Sequence, residues 1–220
     1  MITERLKCIL KYAQGKTAAD IGTDHAYIPI ELIKTGRADF VIASDINKGP
    51  LLIAENNIKN EGLSDKIETR LGSGISVLKP SEADIIIIAG MGGELIQSII
   101  EDDLEIAYSS QLILQPMNSQ YELRKYLILN GFKITHEDIA IEGFKVYNVM
   151  VVSKGVSEPF EKDIYYHLPP YLKENEFYKS LYDKKHREFT KVIYGLEQSS
   201  EPDYEKLNTY KAWLGELEKY

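Results

Sequence analysis

The sequence predicts an α/β fold: a mostly parallel sheet with an antiparallel edge, followed by a small α-helical hairpin. Three observations favour this fold. Short runs rich in β-branched residues alternate five times with helical patterns, as in a series of βαβ units. Two further strand patterns then flank Glu142-Gly143, a hairpin signal. Beyond residue 153 the chain becomes irregular and then helical. We therefore predict a sheet domain with an N-terminal helix over 1–153 and a helical domain over 154–220.

Apolar spacing and turn-forming residues place the elements in chain order. A first helix is predicted because Ile2, Leu6 and Ile9 recur at helical spacing. The first five strands are short runs that end at turns with Asp, Gly or Pro, and Gly62 and Gly131 are suitable residues just past helix ends. The predicted strands are 17–21, 39–45, 66–71, 84–89, 111–115, 132–141 and 145–153. The predicted helices are 2–14, 26–35, 48–61, one that ends near 101, 120–130, 173–198 and 203–219.

Acidic turns follow the first two strands. The first reads Asp20-Ile-Gly22-Thr-Asp24, and Asp45 ends the second strand 25 residues after Asp20. In a Rossmann-like βαβ unit the first turn approaches a nucleoside, and an acid at the second strand's end binds the ribose. Asp24 stands where a dinucleotide motif needs glycine, so this turn repels a pyrophosphate and suits a sulfonium or ammonium cation. The pattern favours S-adenosylmethionine over NAD, although a tight turn and a helix cap at Asp45 would also produce it.

Further turns fall at the same edge of the predicted sheet, because the carboxyl ends of parallel strands share that edge. Glycine in such turns lets the backbone approach a ligand closely. Plain loops and a core methionine are the competing interpretation. The additional cofactor-binding candidates are His25, Ile46, Asn47, Gly49, Pro50, Gly72, Ser73, Gly74, Ala89, Gly90, Met91, Gly92 and Gly93.

Four residues at this edge are candidates for catalysis: Asp24, Tyr27, Gln115 and Asn118. Asp24 would lie near a developing cation, and Tyr27 could stack an unstacked base. Gln115 and Asn118 follow the fifth strand, where side-chain amides can pair with an adenine edge. The alternatives are a packing role for Tyr27 and a strand that Pro116 simply terminates.

Charge is unevenly distributed along the chain. A formal net charge of −8 argues against broad adhesion to nucleic acid. Residues 1–17 and 179–191, however, each carry three more positive than negative charges. Such helices can bind a polyanion locally, or they are simply solvated faces. The RNA-binding candidates are Arg5, Lys7, Lys11, Lys179, Lys184, Lys185, Arg187 and Lys191.

Other features point to a cytoplasmic protein, which we expect to be a monomer. The single cysteine, Cys8, excludes internal disulfides and fits a reducing compartment. The sequence has no signal-peptide pattern, no apolar run of membrane length and no His/Cys cluster with metal-ligand spacing. We therefore expect neither membrane attachment nor a metal.

Four segments carry a family resemblance: Asp-Ile-Gly-Thr-Asp-His-Ala-Tyr-Ile-Pro at 20–29, Ser-Asp-Ile-Asn-Lys-Gly-Pro at 44–50, Ala-Gly-Met-Gly-Gly at 89–93 and Leu-Ile-Leu-Gln-Pro at 112–116. Together they resemble the bacterial tRNA (adenine-22, N1) methyltransferase family. The resemblance implies a class I S-adenosylmethionine-dependent methyltransferase domain and a helical C-terminal domain that helps to hold the tRNA. The family usually has Asn after Gln-Pro, where this chain has Met117.

The combined expectation is methyl transfer from S-adenosylmethionine to N1 of an adenine in tRNA, with the nucleotide position resting on the resemblance. Adenine N1 has a free lone pair, so the enzyme needs mainly to align the reacting atoms and exclude water. Two alternatives stay open: a small-molecule methyltransferase, which would not need the basic helices, and a tRNA-binding protein without catalysis.

Overall fold

A computed structural model describes residues 2–219. The chain divides into one compact unit that ends at Pro159 and a second that begins at Phe160. Residues 154–159, which the sequence assigns to the helical domain, fall in the first unit. No helix among the described residues is long and apolar enough to cross a membrane.

The first unit is built on a seven-stranded sheet. Its strands are β1 (Thr17–Ile21), β2 (Phe40–Asp45), β3 (Ile67–Leu71), β4 (Ile85–Met91), β5 (Gln111–Pro116), β6 (Phe132–Glu142) and β7 (Lys145–Lys154). They lie in the order β3-β2-β1-β4-β5-β7-β6. β1 to β5 are parallel, whereas β7 runs antiparallel to both β5 and β6. The predicted mostly parallel sheet with an antiparallel edge is confirmed.

Helices pack on both faces of this sheet. They are α1 (Glu4–Tyr12), α2 (Tyr27–Lys34), α3 (Lys48–Asn60), α4 (Gly93–Asp102), α5 (Leu104–Ser109) and α6 (Gln120–Leu129). Because side chains alternate along a strand, Ile85 and Ile87 of β4 pack under α1 to α3, while Ile86 and Ile88 pack under α4 to α6. A strand with both faces buried is apolar throughout, which explains the run of four isoleucines.

One ion pair is buried beside the antiparallel edge. Arg124 of α6 and Glu137 of β6 are fully buried, and Arg124 Nη2 lies 2.6 Å from Glu137 Oε1. Arg124 Nε lies 3.1 Å from the second carboxylate oxygen, and Asn148 Nδ2 donates to Glu137 Oε1 at 2.8 Å. The two-pronged geometry and the extra donor satisfy charges that would otherwise be costly to bury.

The second unit is helical, as predicted. It contains α7 (Ile164–His167), a 3-10 turn at Pro170–Leu172, α8 (Tyr178–Glu197) and α9 (Tyr204–Leu217). α8 and α9 pack together around aromatic rings, with Phe189 and Trp213 centroids 5.7 Å apart.

The structure corrects several predicted bounds. α8 begins at Tyr178 rather than residue 173, because Asn175 Oδ1 accepts the Phe177 N–H and forms a local turn in place of a helix. α5, α7 and the 3-10 turns at Gly74–Val77 and Pro170–Leu172 were not predicted. Each is six residues or shorter, too short to display a helical period.

Candidate active site

Two cavities of about 280 and 330 Å³ adjoin at the carboxyl ends of β1, β2 and β4. Their linings share Gly22, Ala89 and Gly90, so the turn after β1 and the end of β4 form the common wall. This is the edge at which open parallel sheets bind ligands, and it is the edge that the sequence predicts.

The first cavity collects the acidic turn after β1. Beyond the shared wall, its lining consists of Arg5, Leu6, Asp20, Thr23, Asp24, His25, Tyr27 and Ile28. The predicted residues Asp20, Gly22, Asp24, His25 and Tyr27 are thus brought together here.

The turn in this cavity is conformationally strained. Asp24 and Ala26 have φ of +52° and +59°, values that residues with a side chain rarely adopt. The side chains reinforce the turn: His25 Nδ1 lies 2.9 Å from Asp24 Oδ2. The His25 ring also stacks nearly parallel on Tyr27, with centroids 5.4 Å apart. Tyr27 is consequently held at the cavity while half of its surface remains exposed.

The second cavity is centred on the end of β2. Beyond the shared wall, its lining consists of Ile21, Ser44, Asp45, Ile46, Asn47, Gly72, Ser73, Gly74, Met91, Leu95 and Ile99. Asp45 is buried, and one of its oxygens, Oδ1, accepts the Asn47 N–H at 2.8 Å. Ser44 Oγ is buried without a hydrogen-bond partner among the described residues. A buried hydroxyl without a partner is costly, so this wall is suited to a polar ligand.

Gly22 packs closely against Met91 and adopts a backbone conformation that favours glycine. A Cβ atom built on Gly22 would overlap Met91 Cε, the flexible end of that side chain, and Gly22 has φ of +75°. A side chain at this position would therefore strain the turn after β1 and displace the end of the Met91 side chain.

The carboxyl group of Asp20 has an unusually high pKa in this cavity. Burial is the main cause that raises the pKa of the Asp20 carboxyl to about 7. The neighbouring Asp45 carboxylate contributes to the rise, whereas Thr23 and Arg5 oppose it. Desolvation disfavours the charged form of a carboxyl group. A cationic ligand in the cavity would favour the ionised form, as expected for a site that receives a sulfonium or ammonium group.

We expect Asp20→Asn to stabilise the ligand-free protein at alkaline pH. An aspartate whose folded pKa is raised contributes stability fully below its unfolded pKa, near 3.9, and loses it as pH rises through about 7. The neutral amide does not incur that loss. The melting temperature of the variant should exceed that of the wild type by roughly 2–4 °C per kcal/mol gained at pH 8. Thermal melts at pH 5 and pH 8 check this, and an equal difference at both pH values would contradict it.

The structure places Gln115 and Asn118 differently from the prediction. Gln115 has no exposed surface, and both ends of its amide are hydrogen-bonded. It therefore cannot pair with a base, which corrects its predicted role. Asn118 is exposed, and its side chain lies against Gly92, where an added Cβ atom would be 2.9 Å from Asn118 Oδ1.

Some candidates do not line either cavity, and some lining residues were missed. Gly49, Pro50, Gly92 and Gly93 are absent from both linings. The cavities are also lined by residues that were not predicted from the sequence: Leu6, Thr23, Ile28, Ile21, Ser44, Leu95 and Ile99. Position next to Asp24 and Asp45 is the one signal that could have indicated Thr23 and Ser44. Arg5 was selected for RNA binding, but it lies in the wall of the first cavity.

Most of the other basic candidates are paired with acids. Lys7 pairs with Glu4, Lys11 with Asp138, Lys179 with Asp183, and Lys184 and Lys185 with Glu188. Lys185 is buried, and burial lowers the pKa of Lys184. Arg187 and Lys191 on α8 are exposed, with no acid paired to them among residues 2–219. They are therefore the candidates of this group best placed to meet a polyanion.

The described part of the chain has no group of three or more His, Cys, Asp or Glu side chains that could hold a metal ion. Cys8 is half-buried in α1, and burial raises the pKa of its thiol to about 12. The thiol is therefore protonated at neutral pH and unsuited to act as a nucleophile.

The chain is similar to known methyltransferases. The methyltransferase domain family matches residues 2–150. The tRNA (adenine(22)-N(1))-methyltransferase of Bacillus subtilis is 37% identical over 156 residues, which cover 70% of this chain and 66% of that enzyme. The chain thus matches slightly less than two thirds of that relative's length.

Solved structures resemble the whole chain. Streptococcus pneumoniae Sp1610 in complex with S-adenosyl-L-methionine is 32% identical with a TM-score of 0.87, covering 100% of this chain and 99% of that one. M. capricolum TrmK in complex with S-adenosyl-homocysteine is 26% identical with a TM-score of 0.84, covering 100% and 97%.

Proposed function

The chain belongs to the tRNA (adenine(22)-N(1))-methyltransferase family, and on that premise we propose that it transfers a methyl group from S-adenosylmethionine to N1 of an adenine in tRNA. The observation that carries the proposal is the pair of adjoining cavities with a shared wall at Gly22, Ala89 and Gly90. One cavity offers a carboxylate at a strand end, and the other offers an exposed aromatic ring beside acids.

The residues present fit the cofactor. Asp45 has a second carboxylate oxygen available for ribose hydroxyls, and the unpartnered Ser44 hydroxyl lies in the same wall. Gly72, Ser73 and Gly74 would border the adenine. In the first cavity, Asp20 and Asp24 suit a cationic group and disfavour a phosphate. When bound, S-adenosylmethionine supplies an activated methyl group on a sulfonium.

The chain's own residues have a limited chemical task. Adenine N1 is unprotonated at neutral pH and carries a free lone pair, so no strong base is needed before transfer. Tyr27 stacks the flipped adenine and sets its plane, while Asp24 stabilises the positive charge that develops on the ring. The shared wall holds the donor and acceptor in line and excludes water.

We further propose that the helical domain supplies part of the tRNA contact. Arg187 and Lys191 face solvent on α8 and can each meet a backbone phosphate. Because tRNA is the proposed substrate, we propose that the enzyme acts in the cytoplasm, as a monomer.

The decisive experiment is mass spectrometry of nucleosides from tRNA incubated with the protein and isotope-labelled S-adenosylmethionine. We expect labelled 1-methyladenosine, mapped to one nucleotide by sequencing of the product. Methylation of free adenosine at the same rate as tRNA would favour the small-molecule alternative. The acid pairing of Lys179, Lys184 and Lys185 is the observation that keeps this alternative worth testing.

Asp45→Ala should weaken binding of S-adenosylmethionine. Loss of a hydrogen bond to a charged group corresponds to roughly 1.5–3 kcal/mol, or about 10- to 150-fold in the dissociation constant. Isothermal titration calorimetry measures this directly. Asp39→Ala, which removes an exposed acid just before the opposite end of β2, is the matched control. Unchanged affinity of Asp45→Ala would exclude the ribose contact.

A further inference from the structure

Arg5 reaches from α1 into the wall of the first cavity and makes a specific contact there. Its Nη1 donates to Gln115 Oε1 at 2.7 Å. The residue is anchored at two further points. Its backbone N–H donates to Glu142 Oε1 at 2.7 Å, and its guanidinium lies 5.8 Å from the centre of the Tyr147 ring. These contacts fix the guanidinium in one place, unlike a phosphate-binding arginine that extends into solvent.

Gln115 connects Arg5 to the shared wall of the two cavities. Gln115 Oε1 accepts a second hydrogen bond, from the Gly90 N–H at 3.2 Å. Its Nε2 donates to the Pro116 carbonyl at 3.0 Å. The side chain is fully buried, so it is not available to either ligand. Its position in the structure is that of a link between Arg5 and the backbone of Gly90.

The link ends at the backbone of Gly90, and a shift of this backbone would affect both cavities. Gly90 lines both cavities and has φ of +79°, a conformation open to glycine and strained for other residues. Gly90 lies near the end of β4, where the pairing with β5 shifts register between Ala89 and Met91, and it has no side chain to hold it. Gln115 Oε1, which also accepts from Arg5, therefore helps to determine where the Gly90 backbone lies between the two cavities.

We propose that Arg5 is a positioning residue for methyl transfer: it acts through Gln115 on the backbone of Gly90 in β4 instead of binding tRNA phosphates. The proposal rests on the proposed function, because it concerns alignment between the donor in one cavity and the adenine in the other. A misplacement of about 1 Å can slow a reaction by roughly 100-fold. Loss of the link should therefore reduce the rate of transfer while leaving the affinities for donor and tRNA nearly intact.

A double-mutant cycle tests this link. Arg5→Met, Gln115→Met and the double variant should each lower the single-turnover rate by about 10- to 100-fold, with the double no worse than the worse single variant. The donor dissociation constant by calorimetry, and the tRNA dissociation constant at two salt concentrations, should each stay within about twofold of wild type. Arg37→Met, which removes an arginine before β2 at the opposite edge of the sheet, is the matched control and should keep the wild-type rate.

A thermal melt would reveal whether Gln115→Met fails to fold. In that case, two conservative variants still test the proposal. Arg5→Lys retains a donor for Gln115 Oε1 and should recover most of the rate lost in Arg5→Met. Gln115→Glu retains the oxygens that accept from Arg5 and Gly90, and should also remain closer to wild type than Arg5→Met.

Three results would overturn the proposal. A loss of donor affinity as large as the loss of rate would make Arg5 a cofactor ligand. Weaker tRNA binding with a shallower salt dependence would make it a phosphate contact. Multiplicative effects in the double variant would show that Arg5 and Gln115 act independently. Failure of the proposed function is distinguishable, because wild-type protein would then form no 1-methyladenosine at all.

Discussion

Tyr27→Ala should slow methyl transfer by roughly one to two orders of magnitude while leaving S-adenosylmethionine affinity nearly unchanged. The ring lines the first cavity, is 51% exposed and is absent from the lining of the second cavity. One of its faces is stacked on His25, which Asp24 holds in turn. The open face is therefore presented in a fixed orientation to an incoming base. Stacking of a base on an aromatic side chain contributes about 1–3 kcal/mol.

Tyr27→Phe is the matched control, because it keeps the ring and removes only the hydroxyl. Single-turnover rates of the two variants, together with calorimetric donor affinities, distinguish the possible roles of this residue. If the phenylalanine variant is as slow as the alanine variant, methyl transfer depends on the Tyr27 hydroxyl group and not on the ring. Wild-type rates in both variants would reduce Tyr27 to a packing residue.

The sheet and the turns that line the two cavities were predictable from the sequence because their causes are local. A strand buried on both faces must be apolar throughout, as Ile85–Ile88 shows, and the acid that ends such a strand must lie at the carboxyl edge. Once β2 was recognised, the position of Asp45 at the carboxyl end of that strand could therefore be predicted. Short helices such as α5 span too few residues to show a helical period of apolar residues in the sequence, so only the structure reveals them.

The roles of Arg5 and Gln115 could not be predicted in the same way. A charged residue on an amphipathic helix usually faces solvent, so Arg5 was assigned to an RNA-binding surface. The packing of α1 beside β5 and β7 turns that guanidinium toward Gln115 instead. The partner is 110 residues away in the chain, and no local pattern encodes the pairing. The strained turn at Asp24 and Ala26 is a similar case, since propensity alone would not place two residues with side chains at positive φ.

Ion pairs within α8 also changed the RNA-binding prediction, because Lys179 pairs with Asp183 and Lys185 pairs with Glu188 one helical turn away. Net charge along 179–191 is positive, but charge counting does not show which ammonium groups already have a carboxylate partner. When the lysines that pair with an acid are set aside, Arg187 and Lys191 are the basic residues on α8 that we expect to contact RNA. A charge-reversal experiment can therefore be confined to two residues.

The double variant Arg187→Glu/Lys191→Glu should bind tRNA about 10- to 100-fold more weakly at low salt and methylate it correspondingly slowly at limiting tRNA. Each basic side chain that neutralises a phosphate releases counterions, so loss of two contacts should reduce the slope of log affinity against log salt by roughly 1.5 to 2.

Lys16→Glu/Lys66→Glu is the matched control: both lysines are exposed and precede β1 and β3 at the edge opposite the cavities, and the change in net charge is the same. Filter binding between 50 and about 300 mM salt measures the slopes. Calorimetry should give both variants the donor affinity of wild type, because neither pair lines a cavity. If both variants lose tRNA affinity equally, overall charge accounts for the effect. If Arg187→Glu/Lys191→Glu keeps full affinity and slope, α8 does not contact tRNA phosphates through these residues.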